Sequence, residues 1–299
     1  MKVFNISRNI LLSILGLLAI GTSSASAIEI GVSPPRIEVE INGKNRTQAI
    51  NIINLSSEPV ELKAYVHTWK MGQDNRLEVT ESNEQSLDQW MVFTPARFTI
   101  PPRHAQTVRF AIRPKVKPTS GEHRAVLYIE EIPKNEDNQK VVTVGRVGVV
   151  IYGYAGDVKR VGVVNSVNVD AKTNGVTAAF DISSSGNAHV RLNGQYAVWS
   201  AASYPGASAT KLMSLDNSKA KLPDNILEVA DIQLPPVLAG DRRLLLLPLS
   251  KKLPPGNYVL DINGNISGVA IDKGIPFTVP GKVGTTQPTI KPTASTTRK

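Results

Sequence analysis

The sequence predicts an all-β protein built as two β-sandwich domains in tandem. Twenty-two glycines and 20 prolines interrupt the 299 residues too often for long helices. Apolar residues alternate with polar ones in short runs, the period of a strand with one face in a core. Turn-prone clusters separate those runs at roughly the 8–12-residue spacing of a sandwich, and the length suits about two domains.

The strongest strand patterns lie between Gly121 and Tyr154. In the first, Val126, Tyr128 and Glu130 alternate with Leu127, Ile129 and Glu131 until Ile132-Pro133 stops the run, because proline lacks the N–H a ladder needs. The second, residues 141–152, carries no charge except Arg146 and predicts a strand apolar on both faces. A second layer or a partner must cover the face holding Val142 and Val144.

Ahead of this pair, residues 28–41 predict a strand broken at Ser33-Pro34-Pro35, with Ile37, Val39 and Ile41 on one face and Arg36, Glu38 and Glu40 on the other. Strands follow at 48–54 and 59–69, then a polar stretch with local helix tendency over 78–89. Short strands at 98–100 and 107–112 lead back to the central pair. Beyond Gly156 the texture shifts to smaller residues. Strands are expected at 161–169, 176–182, 190–200, 226–234 and 243–249, then a final group over 258–262, 266–271 and 277–279.

Residues 1–27 read as a secretory signal peptide. Lys2 and Arg8 precede an apolar run, and Ala25-Ser26-Ala27 offers the small residues of a cleavage site. Residues 281–299 form a basic Thr/Pro tail without core-forming residues, expected to be disordered. The domains are then expected at 28–155 and 156–280, with no transmembrane segment after leader removal. The net charge of +9 falls to +3 once Lys2 and Arg8 of the leader and Lys282, Lys291, Arg298 and Lys299 of the tail are set aside. That leaves no basic face for nucleic acid.

The chain has no cysteine, which excludes thiol chemistry, disulfides and cysteine metal sites. His67, His104, His123 and His189 are scattered without metal-ligand spacing, and no nucleophile elbow or glycine-rich phosphate loop occurs. The expectation is a protein that is no enzyme and uses no metal or cofactor. Arg124 and Glu131 read as a solvated face, and Trp69 and Trp90 as rings packed over sandwich edges with an N–H partner each.

Four stretches together carry a family resemblance: GVSPPRIEV from Gly31, WMVFTPARFTIPPRHAQTVRF from Trp90, GEHRAVLYIEEIP from Gly121, and the apolar strand ending VVIYGY at Tyr154. With these the first domain resembles the N-terminal immunoglobulin-like domain of the PapD-like periplasmic pilus-assembly chaperones. The second resembles that family's smaller domain by position and β character. The resemblance implies two immunoglobulin-like sandwiches, exported to the periplasm. It implies a chaperone that caps pilus or fimbrial subunits by lending its last strand, with pilin-like subunits and an outer-membrane usher as partners. By order along the motif, Val142 and Val144 match the donor-strand contacts, although as residues they also suit a core. Arg36 matches the arginine that holds a client's C-terminal carboxylate, and is otherwise a solvated surface arginine. The family's cleft lysine falls at Val149. Arg146 is the substitute cation, expected on the opposite side of a regular strand and usable there only through a register shift at Gly145 or Gly148. A structural or adhesive envelope protein using sandwiches as spacers is the alternative reading.

Overall fold

The computed structural model describes residues 29–43, 47–133, 144–215, 222–223 and 225–281. The expected leader, and the tail beyond Gly281, lie outside them.

The first domain runs through β1 (Ile30–Ser33), β2 (Arg36–Glu40), β3 (Thr47–Asn54), β4 (Val60–His67), β5 (Trp69–Met71), β6 (Leu77–Val79), β7 (Met91–Thr94), β8 (Arg97–Ile100), β9 (Ala105–Ile112), β10 (Gly121–Glu131) and β11 (Arg146–Ala155). One sheet has the order β1-β3-β9-β7 and the other β2-β11-β10-β4-β8. The break at Ser33-Pro34-Pro35 thus lets a single apolar pattern change sheets between β1 and β2. Alternation puts Ile37, Ile50, Leu62, Phe110, Leu127 and Ile151 into one core between the layers. Asn54 is fully buried there, and its side chain ties the following turn. Nδ2 donates to the carbonyls of Glu58 (2.7 Å) and Ile100 (3.1 Å), while Oδ1 accepts from the Ser56 N–H at 2.9 Å.

The second domain comprises β12 (Gly162–Lys172), β13 (Gly175–Ser184), β14 (Leu192–Ser200), β15 (Ile226–Asp231), β16 (Arg242–Pro248), β17 (Gly256–Ile266) and β18 (Val269–Val279). Its sheets are ordered β12-β13-β16 and β15-β14-β17-β18, around a core centred on Phe180, Val198, Leu245, Leu260 and Ile262. The chain is therefore two tandem immunoglobulin-like β-sandwiches: the alternation and turn spacing imply the sandwiches, and the resemblance their immunoglobulin-like kind.

A third apolar cluster lies between the domains. Trp69, Met71, Val126, Tyr152 and Tyr154 of the first domain meet Ala188 and Leu238 of the second. Burying a large side chain contributes about 1.5–3 kcal/mol, so this cluster supplies much of the adhesion between the domains.

Several elements differ from the sequence reading. The helix tendency at 78–89 is realised only as a 3-10 turn over Leu87–Trp90, and β5 and β6 make a small hairpin before it. The three strands expected at the end are one hairpin of two 11-residue strands, β17 and β18. Pro276 is accommodated because β18 is an edge strand with one side free of the ladder. The apolar strand expected to start at residue 141 begins at Arg146 among the described residues and continues to Ala155.

Candidate binding cleft

Strand β11 organises the site because its two halves meet different surroundings. It pairs antiparallel with β10 along its whole length, from Gly121 opposite Ala155 to Glu130 opposite Arg146. On its other side β2 runs parallel, but only from Arg36 opposite Val150 to Glu40 opposite Tyr154. Residues Arg146 to Val149 therefore have no ladder partner on that side among the described residues, which leaves an open strand edge.

The pleat sorts the side chains of this sheet. Val149 and Ile151 enter the first-domain core, whereas Arg146, Gly148, Val150 and Tyr152 share the outer face with Arg36, Glu38 and Glu40. At one end of that face Tyr152 and Tyr154 are buried beneath the second domain. At the other end it is open, and Tyr65, His67 and Tyr128 form an aromatic group with Tyr65 and Tyr128 centroids 5.5 Å apart. Gly148 makes room for this group, since a Cβ there would sit 3.0 Å from the Tyr128 ring.

Arg146 belongs to the open end. Its guanidinium lies over the Tyr128 ring at 4.5 Å, donates to the Tyr65 hydroxyl at 3.4 Å and approaches Glu130 at 4.0 Å. Glu130 also holds Lys63 at 2.7 Å and accepts a short hydrogen bond from Tyr65. The hydrogen bonds from Lys63 and Tyr65, aided by the charges of Lys63 and Arg146, keep its carboxyl below the usual carboxylate range. No register shift occurs in the β10–β11 ladder. Arg146 thus reaches Arg36's face by regular pleating, because the lysine-equivalent Val149 points into the core and not toward that face. Arg146 precedes Val150, the residue opposite Arg36, by four positions, or roughly 13 Å of strand. The two arginines share a face but the structure does not bring them together.

Arg36 is about half exposed and its Nε lies 3.5 Å from Glu38. Glu38 accepts a hydrogen bond from the Tyr154 hydroxyl at 2.9 Å and lies 3.9 Å from Arg160, whose guanidinium covers the Tyr154 ring at 4.6 Å. Burial, with the hydrogen bond it donates to Glu38, pushes the Tyr154 hydroxyl well above the usual tyrosine value, so it remains a donor. Val144 is described just before β11 and is exposed. Val142 lies outside the described residues.

The residues that hold the cleft together were not singled out as site residues from the sequence. Arg124, expected on a solvated face, stands opposite Tyr152, lies over the Trp69 ring at 5.6 Å and donates to Glu122 at 3.0 Å. Glu122 is fully buried and accepts from the backbone N–H (3.0 Å) and Nδ1 (2.5 Å) of His189 in the second domain. The His189 ring stacks on Tyr152 with centroids 4.1 Å apart. Arg191, two residues on, donates to the Tyr152 hydroxyl at 3.2 Å. On the far side Arg243 donates to the carbonyls of Gly72 (2.6 Å) and Met71 (2.9 Å), and Asn75 to that of Leu244 (3.1 Å). Their only sequence signal was charge next to strand ends, which most solvated residues share.

The histidines have structural partners. His123 bridges the carbonyls of Gln85 and Thr119, His104 contacts the Pro102 carbonyl, His189 is bound to Glu122 and His67 sits among tyrosines. Trp69 and Trp90 each donate their indole N–H, to Ala125 and Glu84 carbonyls respectively. Among the described residues no group of three His, Asp or Glu side chains is placed to hold a metal ion, and no helix is long and apolar enough to cross a membrane.

An open strand edge of this sort can take up an extended polypeptide as an added strand. Residues 31–149 match the family described as pili and flagellar-assembly chaperone, PapD N-terminal domain. The match lies within the first domain, which is a PapD-type domain. No curated protein matches the chain. Among solved structures it is similar to the Pseudomonas aeruginosa CupB2 chaperone, with 12% identity over 84% of this chain and 100% of that one and a TM-score of 0.41. It is also similar to the CsuC–CsuE chaperone–tip adhesion subunit pre-assembly complex of Acinetobacter baumannii, at 13% identity over 84% and 97% of the two chains and a TM-score of 0.41. A PapD-like domain of human CEP192 is a third, with 9% identity over 48% and 97% and a TM-score of 0.32. These are distant likenesses.

Proposed function

We propose that this protein is a periplasmic chaperone that holds pilus or fimbrial subunits by adding its own strand to their incomplete sheet. The observation that carries this reading is the open side of β11 from Arg146 to Val149, in a domain of the PapD family. Free N–H and C=O groups along that edge satisfy a client strand's backbone, and alternate apolar side chains enter client pockets. Val144, just before β11, and Val142, two residues earlier in the sequence, are the proposed donor contacts. Arg36, on the same sheet face, is the proposed anchor for the client's C-terminal carboxylate. Arg146 takes the open end of that face, where its ion pair with Glu130 and its stacking on Tyr128 brace the sheet beside the bound strand. An usher would accept the loaded complex, and exchange for the next subunit's better-packed segment needs no chemical energy source.

The test is capture from periplasmic extract by the wild type and by V142D/V144D, with captured proteins identified by mass and sequence. Small β-rich subunits bound at about 1:1 by the wild type and lost by the double variant are expected, because a buried unpaired carboxylate in an apolar pocket is costly. Identical capture by both proteins overturns strand donation.

A further inference from the structure

Strand β16 is an edge of the sheet β12-β13-β16, and among the described residues it pairs only with β13. Its sequence RRLLLLP is apolar on both faces. Leu245 and Leu247 are buried in the second-domain core, whereas Leu244 and Leu246 point out of the sheet and are 58% and 60% exposed. A solvated sheet face ordinarily carries polar residues, and an edge strand ordinarily carries charge. The charges of β16 lie only at its start, where Arg242 forks onto Asp181 and Arg243 pairs with Asp241.

Hydrogen bonds to β13 reveal which backbone groups of β16 are free. The Ser184 N–H donates to the Asp241 carbonyl and the Leu249 N–H to the Val176 carbonyl, one at each end of the ladder. Alternate residues of an antiparallel strand turn to opposite sides, so Arg242, Leu244, Leu246 and Pro248 direct their backbone groups away from β13. The Leu244 carbonyl accordingly accepts from Asn75 of the first domain, at 3.1 Å. Pro248 has no N–H to offer. Beyond Arg242, the edge presents the Leu244 N–H, both groups of Leu246 and the Pro248 carbonyl, without partners among the described residues.

This set is complementary to itself. When two copies of β16 run antiparallel with Leu246 opposite its own counterpart, the two Leu246 residues exchange both hydrogen bonds. Each Leu244 N–H then donates to the other copy's Pro248 carbonyl. The Leu244 carbonyl, already taken by Asn75, lies opposite the proline that has nothing to donate, so no group is left stranded. On the outer face Leu246 meets Leu246 and Leu244 meets Pro248, which covers the exposed leucines. Residues 244–248 carry no charge that would oppose its copy.

We infer that β16 is a self-association edge, at which a second copy of this chain joins its β12-β13-β16 sheet to the first across a two-fold axis. A second copy fits this edge better than an arbitrary strand, because its proline falls where the Leu244 carbonyl is already occupied. The contact is small, so the dimer is weak and forms with rising concentration. It lies in the second domain and leaves the Arg146–Val149 edge of β11 free.

Sedimentation equilibrium of the full-length mature protein, from micromolar to millimolar concentration, tests this. A reversible monomer–dimer equilibrium is expected. L246K and L246E should each weaken it by about tenfold or more, since each sets two like charges face to face across the axis. Both change an exposed side chain outside the core, so the fold is kept. An equimolar mixture of L246K and L246E should regain dimers, because Leu246 then meets its opposite charge. V163K, exposed on β12 at the far edge of the same sheet, should leave the equilibrium unchanged. A wild type that stays monomeric throughout overturns the inference, whether the edge is empty or filled by another segment. Association that survives in L246K runs through a different surface, the open edge of β11 included, and overturns it equally. A mixture that stays monomeric overturns the pairing of Leu246 with its counterpart.

Discussion

Glu122 on β10 accepts two hydrogen bonds from a single residue of the other domain, the backbone N–H and the Nδ1–H of His189. Both side chains are essentially inaccessible to water. An ion pair at such a place adds little net stability compared with apolar packing, yet removing one member leaves a buried group uncompensated. The apolar cluster around Trp69 and Tyr152 therefore supplies adhesion, and Glu122 with His189 fixes which face of one domain meets the other.

Replacing Glu122 by alanine is expected to destabilise the junction by roughly 3–5 kcal/mol, since the His189 and Arg124 donors lose their acceptor. Denaturant unfolding followed by tryptophan fluorescence reads this directly, because Trp69 lies against Arg124 in the same cluster. An unchanged midpoint would show that the pair does not hold the junction.

The same carboxylate predicts an acid dependence. Burial opposes the charge of Glu122, but the hydrogen bond and charge of His189, its backbone N–H and Arg124 outweigh that cost and hold the carboxyl below the usual range. A depressed folded value means that the unfolded chain binds more protons at mildly acid pH. The contribution is complete above the unfolded value of about 4.3 and is lost as pH falls through the folded one. Urea midpoints should fall below about pH 4.3 in the wild type and fall less steeply in E122Q. Parallel acid profiles would contradict this.

Gly121 begins β10 at φ +121°, and a Cβ there would meet the Asn187 carbonyl oxygen of the second domain at 2.7 Å. G121A is expected to push the domains apart at a cost of about 1–3 kcal/mol. The loss of the Glu122 N–H to Asn187 carbonyl bond should appear as faster amide exchange at Glu122. Wild-type protection at that amide would refute the steric account.

Arg243 ties the second domain to the Met71 and Gly72 carbonyls while paired with Asp241 at 2.9 Å. R243A should widen the distribution of interdomain angles seen by small-angle scattering, and cost about 1.5–3 kcal/mol as a lost charged hydrogen bond. The Trp90 environment, inside the first-domain core, should stay as in the wild type.

The apolar alternation in the sequence determined the two sandwiches, because a strand with one buried face must repeat every second residue. RIEVE at Arg36 and the GEHRAVLYIEE run at Gly121 show that period directly, and Pro133 marks where the latter stops. The four motif stretches also located the PapD-type domain and its special strand. Pairing on each side of that strand was not legible, since a ladder partner such as β2 lies more than a hundred residues away and leaves no local trace. For the same reason the sequence could assign Arg36 to a face but not bring Arg191 or His189 to it, nor set Arg124 over the Trp69 ring. Periodicity is a property of neighbours along the chain. Which charges meet across a domain junction depends on how two finished cores pack, and only the tertiary structure decided that Tyr152 meets His189 and Arg191 of the second domain.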